Sequence, residues 1–169
     1  MARSSVQNLQ SVGDPALAWN FSLALPYIPG SSDTRDLIYK CQAATKPGMT
    51  LEVVDAALHG VNLPYASRKQ YSHRITVRFL EDNAWKTRTK FSRWMDIARD
   101  WITNTGSFKT TYAVTTDLIT YNDIPEPTDV TRLYGLWPVE MEDVQLDGST
   151  GDIVFLSVTF AYDFWQTVG

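Results

Sequence analysis

Cys41, His59 and His73 are the side chains best suited to covalent chemistry, because a histidine can activate a cysteine thiolate as a nucleophile. Cys41 is the only cysteine of the chain, so no intrachain disulfide can form. It lies in the run Leu37–Ala44, whose composition predicts a strand. A thiol in such a strand usually serves as a small apolar side chain. We therefore expect Cys41 to be structural, with a Cys–His pair as the minor alternative.

The second group with chemical potential is acidic and lies near the C terminus: Glu140, Glu142, Asp143 and Asp147. Carboxylates can collect a hard cation, but these do not have the spacing of a calcium loop, which favours a solvated acidic surface. The histidines do not have zinc spacing. The sequence also lacks a phosphate-binding glycine loop, a dinucleotide fingerprint and a nucleophile elbow. We therefore expect no catalytic site, no metal and no cofactor, and hence not an enzyme.

The composition is that of one globular domain: 169 residues, 44% hydrophobic and 20% charged. Residues 1–16 are polar and predict an N-terminal arm, followed by a single domain over 17–169. No apolar run approaches the roughly 18 residues that span a bilayer, and the N terminus lacks the apolar core of a signal peptide. We expect no membrane insertion and folding in a cytoplasm.

Charge is distributed unevenly along the chain. Residues 1–116 carry fourteen Lys or Arg and nine Asp or Glu, whereas residues 117–169 carry one basic residue, Arg132, and ten acidic ones. One interpretation is that the two parts interleave in the fold and the asymmetry averages out. The other is a subunit with one basic and one acidic surface, which can bind copies of itself head to tail.

Alternating or β-branched runs predict about seven or eight strands. The predicted strands lie at 18–25, 37–44, 50–59, 74–79, 112–119, 130–138 and 153–162. The last run has no charge from Ile153 to Tyr162, so it must be central in a sheet or paired with another chain. Residues 60–69 show no clear period and predict a contact loop, with Leu63 and Tyr65 beside Arg68 and Lys69.

A helix is predicted over residues 84–103, with Asp82 or Asn83 as its cap. Its apolar stripe has helical spacing and predicts packing on a sheet. That stripe consists of Phe91, Trp94, Met95, Ala98, Trp101 and Ile102. The opposite face is basic and predicts a solvated surface or one for an acidic partner. It includes Lys86, Lys90, Arg93 and Arg99.

Together these patterns predict a mainly β (α+β) fold, a barrel or sandwich of about seven or eight strands with one flanking amphipathic helix. Self-association is the expected behaviour. A small-ligand-binding β-barrel remains an alternative, and it would predict a stable monomer with an internal pocket.

Motifs near the C terminus carry a family resemblance. Three consecutive segments resemble the C terminus of tail tube proteins from T4-like contractile-tailed bacteriophages. They are Gly135-Leu136-Trp137-Pro138, the segment Asp143–Asp147, and a strand that ends in Tyr162–Trp165. The helix core Lys90-Phe91 with Trp94, and the Cys41 strand with its exit at Pro47-Gly48, are similar more loosely. The resemblance covers residues 17–165 and is weakest at 55–72 and 120–132.

The resemblance implies a structural subunit of the virion tail, assembled in the host cytoplasm. In the family six subunits close a ring, and the rings stack into a tube that conducts DNA into the host. Implied partners are further copies of the chain, the tail sheath protein, the baseplate, the tape measure protein and DNA in transient passage. Alternatives are a baseplate tube-initiator protein or the tube subunit of a related secretion or bacteriocin injection machine.

On this interpretation three groups of residues acquire expected roles. We expect Leu63 and Tyr65 to anchor ring stacking while Arg68 and Lys69 steer it. The basic helix residues Lys86, Lys90, Arg93 and Arg99 are expected to face the sheath. The acidic residues Asp117, Glu140, Glu142, Asp143 and Asp147 are expected to lie in the channel lining or at the ring edge.

Overall fold

The computed structural model of the protein describes residues 15–168. Nine strands and three helices lie in this part of the chain. The strands are β1 (Phe21–Ala24), β2 (Cys41–Ala44), β3 (Met49–Leu58), β4 (Val61–Tyr71), β5 (Arg74–Leu80), β6 (Val114–Tyr121), β7 (Pro127–Met141), β8 (Phe155–Ala161) and β9 (Phe164–Thr167). The helices are α1 (Arg35–Lys40), α2 (Lys86–Ala98) and α3 (Lys109–Tyr112). The predicted N-terminal arm lies, up to residue 14, outside the described residues.

Seven strands form one antiparallel sheet in the order β1-β6-β7-β8-β5-β2, with β9 paired to β7. The long strand β7 serves two parts of this sheet: its first part pairs with β6 and β9, and its last part pairs with β8. The end strands β1 and β2 contact one another, so the sheet curls towards closure. The predicted mainly β fold is confirmed, and β8 is central, as its uncharged sequence requires.

The transition within β7 occurs at Gly135, whose φ is +67°. A side chain at this position would collide with the carboxylate of Asp163. Because only glycine adopts such a backbone angle freely and leaves this space open, Gly135 fits both requirements. The same carboxylate is ion-paired with Lys109 of α3.

The core lies between the sheet and α2. Alternate residues of β5 and β8 point into it, and the rings of Phe79 and Phe160 lie 5.0 and 5.7 Å from that of Phe91. Trp94 is fully buried, and its indole N–H donates to the carbonyl of Tyr112 over 2.6 Å. The predicted packing of the helix stripe on the sheet is therefore confirmed for Phe91 and Trp94.

Helix α2 begins at two acidic side chains. The Glu81 carboxylate accepts hydrogen bonds from the backbone N–H groups of Thr87 and Arg88, at 3.0 and 2.9 Å. The Asp82 carboxylate accepts one from the N–H of Lys86 at 3.0 Å, as predicted for a capping side chain, although the N-cap position itself is Trp85. These bonds satisfy N–H groups that have no partner within the helix.

The predicted strand at 37–44 and the predicted helix at 84–103 each differ in part from the structure. Residues 37–40 end helix α1 rather than begin a strand, because an Asp33 carboxylate accepts from the N–H of Arg35 and the Asp36–Lys40 pair spans one helical turn. The predicted helix to residue 103 ends at Ala98. Beyond it the chain turns, and the Asp100 carboxylate accepts hydrogen bonds from the next backbone N–H groups. Trp101, predicted to be core, is consequently 80% exposed.

Candidate functional site

Strands β3 and β4 form a hairpin separate from the main sheet. The predicted contact loop at 60–69 is therefore largely β4, and its prediction as an irregular loop is wrong. His59 and Gly60 form the turn with φ of +50° and +81°, as a two-residue type I′ turn requires. Apart from pairing with each other, the two strands pack extensively on no other element of the described chain. Nearly all of their residues are exposed, so the hairpin projects from the domain.

One face of this hairpin is wholly apolar over its outer part. The register pairs Leu58 with Val61, Ala56 with Leu63, and Val54 with Tyr65. Because paired residues share a face and alternate residues share a side, these six side chains form one surface. Leu63 is 41% and Tyr65 54% exposed. We call this surface the apolar hairpin face; the opposite face carries Val53, Asp55, Asn62 and Ala66.

The hairpin base is anchored by aromatic side chains. The ring of Tyr71 lies edge-on to that of Trp165, with 6.2 Å between centroids, and the Trp165 indole N–H donates to the Gly48 carbonyl at 3.3 Å. The His73 ring N–H donates to the Tyr162 carbonyl at 3.1 Å. The free arm therefore begins at a fixed point on the domain.

The basic residues predicted on α2 separate into two environments. Lys86, Arg93 and Arg99 are exposed. Lys90 is half-buried, and its ammonium group lies 2.6 Å from a carboxylate oxygen of Asp36. That carboxylate is also paired with Lys40, which in turn pairs with Asp82, so the two lysines join α1 to the start of α2. The hydrogen bonds from Lys90 and Lys40 outweigh the opposing effect of burial and lower the pKa of Asp36.

The predicted acidic residues are not all together. Asp117 lies on β6 and forms a two-bond ion pair with Arg132, at 2.7 and 2.9 Å. Glu140 is exposed near the end of β7. Glu142, Asp143 and Asp147 lie in the loop that connects β7 to β8, residues 142–154, which lines an open cleft of about 790 Å³. We call residues 142–154 the acidic loop.

Sequence reasoning missed one exposed apolar group, which follows α2. Trp101, Ile102 and Phe108 are 80%, 76% and 86% exposed. Trp101 also borders a groove with Trp137. Helical periodicity placed the first two in the core, and no local signal distinguished them from Trp94.

Comparison with known proteins bears directly on what these surfaces serve. A model of the family described as phage tail tube protein matches residues 9–168. The chain belongs to that family. It is similar to the tail tube protein gp19 of Enterobacteria phage T4, with 26% identity over 135 residues that cover 78% of this chain and 82% of the relative. The corresponding protein of Enterobacteria phage T6 matches equally.

Solved structures share the tail tube fold. A chain in the cryo-EM structure of the anti-feeding prophage baseplate, 6-fold symmetrised, covers 94% of this chain and 98% of its own, with a TM-score of 0.67 and 18% identity. A chain in the sheath–tube complex of an extracellular contractile injection system, PVC, in its extended state covers 99% of both, with a TM-score of 0.63 and 13% identity. The predicted resemblance to contractile tail tubes is confirmed.

Three observations describe the chemistry of this tail tube chain. Burial raises the pKa of the Cys41 thiol to about 11, which disfavours the thiolate that a nucleophile needs. Within residues 15–168, no three His, Cys, Asp or Glu side chains converge to hold a metal ion. In the same part of the chain no helix is long and apolar enough to cross a membrane.

Proposed function

We propose that the chain is the repeating subunit of a contractile-tail tube, in which hexameric rings stack into a channel that conducts DNA into the host. The observation that carries the proposal is the projecting hairpin with its apolar face. A two-stranded hairpin is marginally stable alone in water, and an exposed apolar strand surface promotes association. If other copies of the chain cover this face, the hairpin gains packing partners and its apolar surface is no longer exposed.

Six-fold symmetry and passage of DNA are the finer parts of the proposal. The family resemblance implies six subunits, and a structure with the same fold is that of a 6-fold symmetrised baseplate. The net charge of -4 suits a channel that must release DNA, because negative charge in the lining repels phosphates. Asp117 is already neutralised by Arg132, so Glu140 is the better candidate for a lining charge.

The proposed partner of the exposed basic face of α2 is the sheath. Lys86 and Arg93 on α2, and Arg99 just after its end, offer three exposed positive charges. Such charges act mainly by steering an acidic partner to its position. Two further partners are proposed. The baseplate would start the tube, and the tape measure protein would occupy the growing channel. A structural role of this kind requires no catalytic activity.

Negative-stain electron microscopy of the purified protein at several concentrations tests the proposal. The matched variant replaces residues 50–70 with a short Gly–Ser linker, because removing 60–69 alone would leave β3 without its partner. We expect rings or tubes from the wild type and folded subunits that form no tubes from the variant. Normal tubes from the variant would contradict a role for the hairpin. A wild-type monomer at every concentration, even with purified baseplates, would contradict a tube subunit.

An injection-machine tube that carries no DNA is a second candidate, since chains of the same fold occur in the anti-feeding prophage and PVC structures. Purified particles distinguish the candidates by their nucleic acid content. The abundance of the chain in those particles also separates a tube subunit from a baseplate initiator. The first would be among the most abundant proteins and the second among the rarest.

A further inference from the structure

The hairpin and the acidic loop lie at opposite ends of the β5–β8 pair. The hairpin leads into β5 at Arg74, which pairs with Ala161. The acidic loop leads into β8 at Phe155, which pairs with Leu80 at the other end of β5. At roughly 3.3 Å per residue, these ends are about 20 Å apart along the strand. Copies stacked in line along β5 would therefore bring the hairpin base of one against the acidic loop of the next.

The hairpin base carries exposed positive charge. Arg68 and Lys69 lie where the β3–β4 register shifts, and Arg74 begins β5. All three are exposed, and none forms an ion pair within residues 15–168. Glu52, on β3 between Leu51 and Val53, is the acidic residue of the hairpin nearest to this register shift. We call Arg68, Lys69 and Arg74 the basic collar.

The acidic loop presents the opposite charge around its cleft. Glu142, Asp143, Asp147 and Asp152 line the cleft, and Arg78 is the basic residue among the lining side chains. The Arg78 guanidinium lies 4.4 Å from the centre of the Phe155 ring, on which it is packed. A second basic residue, Arg88, borders an adjoining hollow beside Asp143. Hydrogen bonds from Ser149 lower the pKa of Asp147.

We propose that the basic collar of one copy binds the acidic loop of the next copy, and that this contact is the seam between stacked rings. The inference rests on the proposed function and names the surface that the hairpin base meets. Surfaces of opposite charge at opposite ends of one subunit form a heterologous contact that repeats without closing, which is the geometry of a tube. Opposite charges also fix the polarity of stacking, since two like ends repel.

Charge reversal tests the seam. The collar variant carries Arg68→Glu and Lys69→Glu, and the loop variant carries Glu142→Lys and Asp143→Lys. Asp147 is left intact because its carboxylate holds Ser149. Each variant should form rings but need about tenfold more protein to form tubes, as expected when like charges replace opposite ones. All four changes in one chain should restore tubes. Asp96→Lys, a charge reversal on the exposed face of α2, is the control and should behave as the wild type.

Tube length by electron microscopy and the pelleted fraction in sedimentation supply the readout, at low and at high salt. Wild-type stacking should weaken as salt rises, because exposed charges are screened beyond roughly 10 Å at 0.1 M. If either variant forms tubes at the wild-type concentration in low salt, the proposed seam is wrong, but the proposed tube function still stands. Failure of the fourfold variant to recover, with its melting temperature unchanged, would also overturn it. Absence of wild-type tubes, even on baseplates, would overturn both proposals.

Discussion

Val54 and Val53 are neighbours on β3 that point to opposite faces of the hairpin. Val54 belongs to the apolar hairpin face opposite Tyr65, whereas Val53 pairs with Ala66 on the other face. If another copy covers the apolar hairpin face, Val54→Asp should prevent tube growth. Val53→Asp should change it little, which makes it a control matched in residue type, strand and charge.

The magnitude follows from the exposure of the two valines, 53% for Val54 and 60% for Val53. Full burial of a valine is worth about 1.5–3 kcal/mol, so covering the exposed half of Val54 is worth about 1 kcal/mol. Burying an unpaired carboxylate there adds a penalty of several kcal/mol. A total of about 4 kcal/mol per subunit weakens association roughly 1,000-fold. The loss of strand propensity, at most about 1 kcal/mol, is common to both variants.

The assay is the critical concentration for tube formation, measured by sedimentation and checked by electron microscopy. Thermal unfolding of the dispersed subunits confirms that both variants retain the domain, which contacts the hairpin only at its base. Equal tube formation by the Val54→Asp variant and the wild type would refute burial of the apolar hairpin face. Equal damage from both substitutions would refute the assignment of that burial to one face.

Three further predictions concern the domain itself. Gly135→Ala should lower the unfolding free energy by about 1–3 kcal/mol, because a non-glycine residue at positive φ is strained and its side chain meets Asp163; urea denaturation measures the loss, and an unchanged midpoint would contradict the account. Asp36→Asn should remove stability that the wild type holds at neutral pH. Since the folded pKa of Asp36 lies below the unfolded value of 3.8, this contribution is present above about pH 4 and is lost as pH falls through the folded pKa. The wild-type and variant unfolding curves should therefore converge in acid, and a constant difference would contradict the linkage. Cys41 should react slowly with thiol reagents at pH 8 and rapidly after unfolding, because burial raises its pKa to about 11; equal rates in both states would exclude that burial.

Alternation of apolar and polar residues predicts a strand well where the apolar side of that strand packs on this chain's own core. In β5, Ile75, Val77 and Phe79 are buried and the residues between them are exposed. In β4 the same alternation exists, since Val61, Leu63 and Tyr65 share one face, but a proline and a basic run interrupt it. Pro64 lies in β4 without loss because strand edges that face solvent tolerate proline.

The end of α2 was beyond prediction for a different reason. Trp101 and Ile102 continue the helical period of Phe91 and Trp94, and periodicity alone extends the helix to include them. The chain instead forms a local turn in which the Asp100 N–H donates to the Thr105 carbonyl at 3.0 Å and the Ser107 N–H to that of Ala98 at 3.2 Å. Such local hydrogen bonds compete with helix continuation, and their outcome depends on geometry that residue spacing does not encode.

Both failures bear on how a tube subunit is encoded. Apolar periodicity reports that a surface is to be covered, but it does not report which chain covers it. In this subunit Phe91 and Trp94 are covered by the domain itself, whereas the apolar hairpin face and Trp101 are exposed. A monomeric protein that exposed both surfaces would risk aggregation. A subunit that closes into rings and stacks can keep them exposed until another copy or partner arrives, so these residues are where assembly contacts should be sought first.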